Sequence, residues 1–285
     1  MINKMEIDKG FNYYNINPKY KNRCYACAEA INKNIDCLNS FNKIFNLLNY
    51  ENFNDIKTYW NIKNIDEMFC KNIDSFVTNL LIVLSYKTHE SNIKRNKLNY
   101  DQILIHKKRV KECFENDLEK RKYDNIRISQ MLWAIYFIRV RLIEVGRLQY
   151  EYFEDEGESF IKIHIPSGEK LDYDKVIDSI DKSEEELKKV YHIKDINYVC
   201  QSWLLSNQLN AIIEPNTNIY KFYRLFYVED GEDCTFDILN FVFSLNECEN
   251  YNDLPENTIL QKIIKQQLIN GEKFKLGIGI LSKKE

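Results

Sequence analysis

Residues 146–165 read GRLQYEYFEDEGESFIKIHI, and the fold is decided by how this stretch is read. Leu148, Tyr150 and Tyr152 alternate with Arg147, Gln149, Glu151 and Phe153. A period of two puts these sets on opposite faces of an extended strand. The acidic turn Glu154-Asp155-Glu156-Gly157-Glu158 follows. Residues 159–165 then resume the alternation, with Ile161, Ile163 and Ile165 opposite Phe160, Lys162 and His164. Two such runs joined by a glycine-bearing turn predict an antiparallel pair.

Downstream, Pro166-Ser167-Gly168-Glu169-Lys170-Leu171 reads as a loop, and Asp172 as the N-cap of a helix running to about Tyr191. A third strand is expected over 197–205, a short helix over 207–213 and a fourth strand over 218–229. Pro255 is read in the first turn of a helix over 256–270 that Gly271 ends, and 273–281 is the final strand. Paired strands followed by strand–helix–strand crossovers make an α/β, or α+β, mixed sheet with flanking helices.

Upstream the period is helical. Cys24, Cys27, Ala28 and Ile31 share one face, as do Leu38, Phe41, Ile44, Phe45 and Leu48. Further helices are expected over 65–86, 100–120 and 126–145. The last is apolar on most sides at its centre, with Gly146 at its C-terminal cap. The organisation predicted is a helical N-terminal region, 1–145, ahead of an α/β domain, 146–285.

Composition narrows the function classes. The chain of 285 residues carries 40 basic and 43 acidic side chains, a net charge of −3, without the basic excess that nucleic acid or an anionic membrane attracts. Only 8 Gly and 4 Pro argue against a turn-rich all-β fold. The start, MINKMEIDKGFNYYN, lacks the apolar stretch of a signal peptide, and no apolar run approaches the ~20 residues of a membrane span. A cytoplasmic protein is expected, with its 8 cysteines reduced. Cys24-Tyr25-Ala26-Cys27 reads as a pair of ordinary helix thiols: a zinc site needs two more ligands, and no second such motif follows, so no metal is expected.

Several pieces in fixed order carry a resemblance. They are Gly146-Arg147-Leu148-Gln149-Tyr150-Glu151, His164-Ile165-Pro166, Asp178-Ser179, Cys200-Gln201-Ser202-Trp203-Leu204-Leu205, Pro215-Asn216-Thr217-Asn218-Ile219 and Leu254-Pro255. Over roughly residues 142–281 the chain resembles bacterial acyltransferase-domain-containing proteins, which have a helical N-terminal part and a GNAT-like C-terminal domain. The family pattern has histidine where Gln201 stands, and another where Tyr136 stands.

The resemblance implies an acyl-CoA-dependent N-acyltransferase, with acetyl-CoA or another acyl-CoA as co-substrate and a small-molecule amine or a peptide as acceptor. The alternative is a non-catalytic GNAT-like module that binds a ligand or partner. His164, near the end of its strand, is a candidate base or else a hydrogen-bond donor to the following loop. Glu151, on the same kind of polar face, is a second candidate base or a structural partner of Arg147. His164 and Glu151 are expected to converge as same-face neighbours. GNAT logic adds a tyrosine, Tyr223 or Tyr220, to protonate the leaving thiolate. Candidate coenzyme contacts are Ser167, Gly168, Arg147, Ser202 and Asn218. Against routine coenzyme binding, loop 166–170 has a single glycine, and Asp172 and Asp174 at the helix start compete with a phosphate. The expected core of the domain is Ile163, Val199, Trp203, Leu205, Phe222 and Ile278.

Overall fold

The computed structural model describes residues 1–50, 76–119, 126–155, 157–245 and 247–282. The chain divides into two compact units, residues 1–143 and 144–285.

The first unit is helical: α1 (Lys4–Tyr14), α2 (Lys21–Lys33), α3 (Ile35–Tyr50), α4 (Val77–Leu84), α5 (Tyr86–Arg95), α6 (Tyr100–Glu119) and α7 (Ile128–Ile138). The part of the helix expected over 65–86 that precedes residue 76 lies outside the described residues. Phe11, Ile31, Phe41, Leu80, Phe114 and Phe137 meet in one apolar core. Cys24 and Cys27 are buried on α2, where burial pushes the Cys24 thiol up. Among the described residues no cluster of His, Cys, Asp and Glu is arranged to hold a metal ion. Nor is any described helix long and apolar enough to cross a membrane.

Two buried histidines share this core. His89 on α5 stacks on Tyr14 and on His106 of α6, each pair of ring centroids 5.7 Å apart. His106 Nδ1 lies 3.1 Å from the Phe137 carbonyl. Among the described residues neither nitrogen of His89 has a hydrogen-bond partner, and burial pushes both imidazoles down, His106 to about 4.

The helix expected over 126–145 stops early. Val140 has a φ of +55°, and residues 142–145 extend as a strand. The β-branched and apolar residues there suit either state, and pairing in a sheet decides between them. Gly146 therefore makes a hairpin turn instead of a helix cap.

The second unit is built on a six-stranded sheet of β1 (Leu142–Val145), β2 (Leu148–Asp155), β3 (Glu158–His164), β4 (Asn197–Ser202), β5 (Phe226–Asp233) and β6 (Lys275–Leu281), in the order β1-β2-β3-β4-β6-β5. Its helices are α8 (Tyr173–Tyr191), α9 (Asn207–Asn210), α10 (Asn218–Tyr223), α11 (Thr235–Phe243) and α12 (Ile259–Ile269). Asp172 caps α8, its carboxylate accepting from the Lys175 N–H at 3.1 Å. Strands β2 and β3 are antiparallel, β3 and β4 parallel, and β6 is antiparallel to both β4 and β5. This is a helical region followed by a mixed sheet with flanking helices.

Three local readings change. The fourth strand expected over 218–229 is helix α10, capped by the Thr217 hydroxyl, and then β5. The third strand ends at Ser202, whose hydroxyl accepts from the Leu204 N–H and starts a 3-10 turn. The last helix begins after Thr258, in a reciprocal capping box with Gln261, beyond Pro255.

The core expectation is half met. Ile163, Leu205 and Phe222 are buried, Val199 and Trp203 are half-buried, and Ile278 is exposed. The reason lies in β6, whose glycines rather than isoleucines face the covered side. A Cβ on Gly277 would stand 2.1 Å from the Leu205 carbonyl oxygen, and one on Gly279 2.8 Å from Leu205 Cδ1. The backbone approach at Gly277 tolerates only glycine, while Gly279 is crowded by side chains.

Candidate active site

The antiparallel register sets Gln149 opposite His164 and Glu151 opposite Lys162. His164 and Glu151 are therefore diagonal neighbours on one face, within reach of long side chains. His164 Nε2 lies 2.8 Å from Glu151 Oε2. A carboxylate offers only acceptors, so Nε2 carries the proton and the neutral ring has its basic lone pair on Nδ1. The side chains are 19% and 11% exposed, so solvent screens this pair far less than it screens a surface pair.

The same face continues across the sheet. Lys162 Nζ donates to Gln201 Oε1 at 2.6 Å. One transverse row runs Glu151, Lys162, Val199, Ile280, Tyr227 from β2 to β5. Its far end is apolar and open: Ile280 is 58% and Tyr227 74% exposed.

On the opposite face α8 packs against β2. The Ser179 hydroxyl donates to the Val145 carbonyl, accepts from the Leu148 N–H at 3.2 Å and meets the Tyr150 hydroxyl at 2.9 Å. Gly146, with φ +59°, passes so close that an added Cβ would lie 3.3 Å from Ser179 Cβ. These contacts pin the β1–β2 turn to α8.

The other candidates fall elsewhere. Arg147 is buried and reaches the loop after β3: its Nε donates to the Lys170 carbonyl at 3.1 Å and its Nη2 to the Glu169 carbonyl at 2.8 Å. Ser167 and Gly168 lie exposed on the loop between β3 and α8, and Gly168 has a φ of +109°. Ser202 is engaged as a cap, and Asn218 is exposed at the start of α10.

Tyr223 is not brought to His164. Its hydroxyl donates to Asn207 Oδ1 at 2.8 Å, and Asn207 in turn donates to Asp230 at 2.9 Å. Asp230 pairs with Gly277 in register and so belongs to the face away from His164. The expected fourth strand would have placed Tyr223 differently; the α10 helix takes it to the covered side. The pairing of Gln149 with Glu144, 2.6 Å apart, had no sequence signal beyond the polar face of β2.

Residues 142–281 match the family described as the GNAT-like C-terminal domain. No curated protein matches the chain. Among solved structures it is similar to an acyltransferase in complex with decanoyl-CoA, with 19% identity and a TM-score of 0.65, over 73% of this chain and 66% of that one. It is also similar to an acyltransferase in complex with decanoyl-CoA and teicoplanin, with 17% identity and a TM-score of 0.62, over 73% and 67% of the two chains. The chain spans 66% of the length of the first of these, and at such identities the likeness is one of fold. The parallel β3–β4 pair, the intervening α8 and the family match agree, and residues 142–281 of this chain are a GNAT-like C-terminal domain.

Proposed function

We propose that this domain transfers an acyl group from acyl-CoA to an amine, with His164 as the base and Glu151 as its orienting partner. The observation that carries the reading is the 2.8 Å His164–Glu151 hydrogen bond at the carboxyl end of β3, beside the loop that enters α8. Ligands of α/β sheets lie beyond the carboxyl ends of the parallel strands. The amine nitrogen attacks the thioester carbonyl carbon, a C–N bond forms, and the C–S bond breaks. His164 Nδ1 takes the proton from the nitrogen, and the Glu151 carboxylate stabilises the resulting imidazolium. With Tyr223 held on the other face, the departing thiolate draws its proton from His164 or from water.

Three similar solved acyltransferases carry decanoyl-CoA or octanoyl-CoA, one of them with teicoplanin, and a fourth carries CoA and 10C-teicoplanin. The open row of Val199, Ile280 and Tyr227, continuous with Lys162 and Glu151, supports an aliphatic acyl group longer than acetyl. The acceptor in this reading is an amine on a small molecule or a peptide, and the setting is cytoplasmic.

One observation favours the alternative of a non-catalytic binding module. The Asp172 carboxylate occupies the Lys175 N–H at the start of α8, a donor that a phosphate would otherwise use. A thermal shift series with CoA, acetyl-CoA, octanoyl-CoA and decanoyl-CoA, followed by thiol release with a panel of amines, separates the two. A ligand at ~100 times its dissociation constant adds roughly 2.7 kcal/mol of stability. Stabilisation with no thiol release from any amine would favour the module, and no stabilisation by any CoA would overturn both acyl-CoA readings.

A further inference from the structure

The loop between β3 and α8 is where the proposed reaction needs its coenzyme, and Arg147 is tied to that loop from below. We infer that Arg147 is a positioning residue that shapes the 166–171 loop for the pyrophosphate of CoA without touching it. The inference rests on the acyl-CoA reading above. Arg147 is 6% exposed, so its guanidinium is not presented to an incoming anion. Instead its fork spans two consecutive carbonyls, those of Glu169 and Lys170.

The consequence follows from peptide geometry. In a trans peptide the C=O and the following N–H point in opposite directions. Drawing the Glu169 and Lys170 carbonyls inward therefore turns the N–H groups of Lys170 and Leu171 outward. Among the described residues no hydrogen bond engages the N–H groups of residues 167–171, and residues 167–170 are exposed. Outward amides of this kind form an anion-binding concavity. The anchor is rigid, because Arg147 follows Gly146 in the turn that Ser179 fastens to α8, the helix that the loop enters. Loop and brace are thus referred to the same helix.

Arginine is required for this role by shape rather than by charge. A lysine ammonium is a single point on a flexible stem and cannot fork across two carbonyls in a fixed plane. A direct phosphate ligand, by contrast, tolerates lysine.

The test measures CoA affinity by calorimetry, and steady-state transfer from octanoyl-CoA and octanoyl-pantetheine, for wild type, Arg147→Lys and Arg147→Ala. Both variants should bind CoA at least tenfold more weakly, with KM for octanoyl-CoA raised in proportion and saturated kcat reduced less than threefold. KM for octanoyl-pantetheine, which lacks the pyrophosphate, should not move. Hydrogen exchange at Lys170 and Leu171 should slow on CoA addition in wild type and not in the variants. If Arg147→Ala fails to fold, Arg147→Lys alone decides. Arg147→Lys with wild-type CoA affinity overturns the inference, and so does a KM for octanoyl-pantetheine that rises as steeply as that for octanoyl-CoA. Wild type that binds no CoA overturns the functional reading itself, and this inference with it.

Discussion

Acidification should destabilise the helical unit through its two buried histidines, well before its carboxylates begin to take up protons. His106 titrates at about 4 in the folded protein because burial disfavours the imidazolium. An unfolded histidine titrates near 6.5. The sign follows from proton counts. Above about pH 6.5 neither state is protonated and the full stability is present. Between about 6.5 and 4 the unfolded chain binds a proton that the folded one refuses, so stability falls as pH falls. The difference of about 2.5 units, at about 1.4 kcal/mol per unit, amounts to about 3 kcal/mol for His106, lost by about pH 4.

His89 is shifted in the same direction by burial, with His106 and Lys107 adding to it, and so steepens the slope. Lys107 stands over the Tyr13 ring, and Glu90 acts on Tyr13 and Tyr14 beside the pair. Glu6, drawn down to about 2 by Lys87, Lys9 and Tyr86, contributes its pH dependence only below its ordinary value of 4.5. Urea unfolding of the full chain, followed by circular dichroism between about pH 7 and 5, therefore isolates the histidines. His106→Phe keeps an aromatic ring against Phe137 and His89 and removes one titration. Whatever its absolute stability, its slope against pH should be about half that of wild type. A wild-type stability that is flat across this window, or a variant slope equal to that of wild type, would refute the reasoning.

His164→Gln should lower turnover by ~100- to 10,000-fold while decanoyl-CoA still raises the melting temperature; unchanged turnover would remove His164 as the base. Gly146→Ala, at φ +59° and against Ser179 Cβ, should cost about 1–2 kcal/mol or more in chemical unfolding, and a neutral result would show that the turn relaxes. Gly277→Ala forces the Leu205 carbonyl away, and should cost more than an alanine placed at the uncrowded Gly271 despite that residue's positive φ; equal losses would argue against the close approach. Thr258→Ala removes half of a capping box and should cost about 1 kcal/mol, read as a shift in the urea midpoint with an unchanged m-value.

Much of the architecture was written in local periodicity. The alternation in 146–165 specifies a hairpin, and because side chains repeat every two residues it also puts Glu151 and His164 on one face. Asp172 declares the start of α8, since its carboxylate needs only the N–H three residues on. The helical spacing of Cys24, Cys27 and Ile31 gives the buried face of α2. Each of these signals lies within a few residues of chain, where backbone geometry alone relates the side chains.

What the amino-acid order left open were the choices made between distant segments. Residues 142–145 suit a helix or a strand equally, and become a strand by pairing in the sheet. The Gly-Ile alternation of β6 leaves its covered face undetermined until the Leu205 backbone arrives against Gly277, which sends Ile278 and Ile280 outward. Arg147 and Glu151 share a strand face and opposite charges, yet Glu151 takes His164, thirteen residues on, and Arg147 takes the carbonyls of Glu169 and Lys170. Helix α10 then carries Tyr223 to the face away from both. Periodicity assigns a side chain to a face; only packing among segments far apart in sequence decides what covers that face and which partner comes within 3 Å.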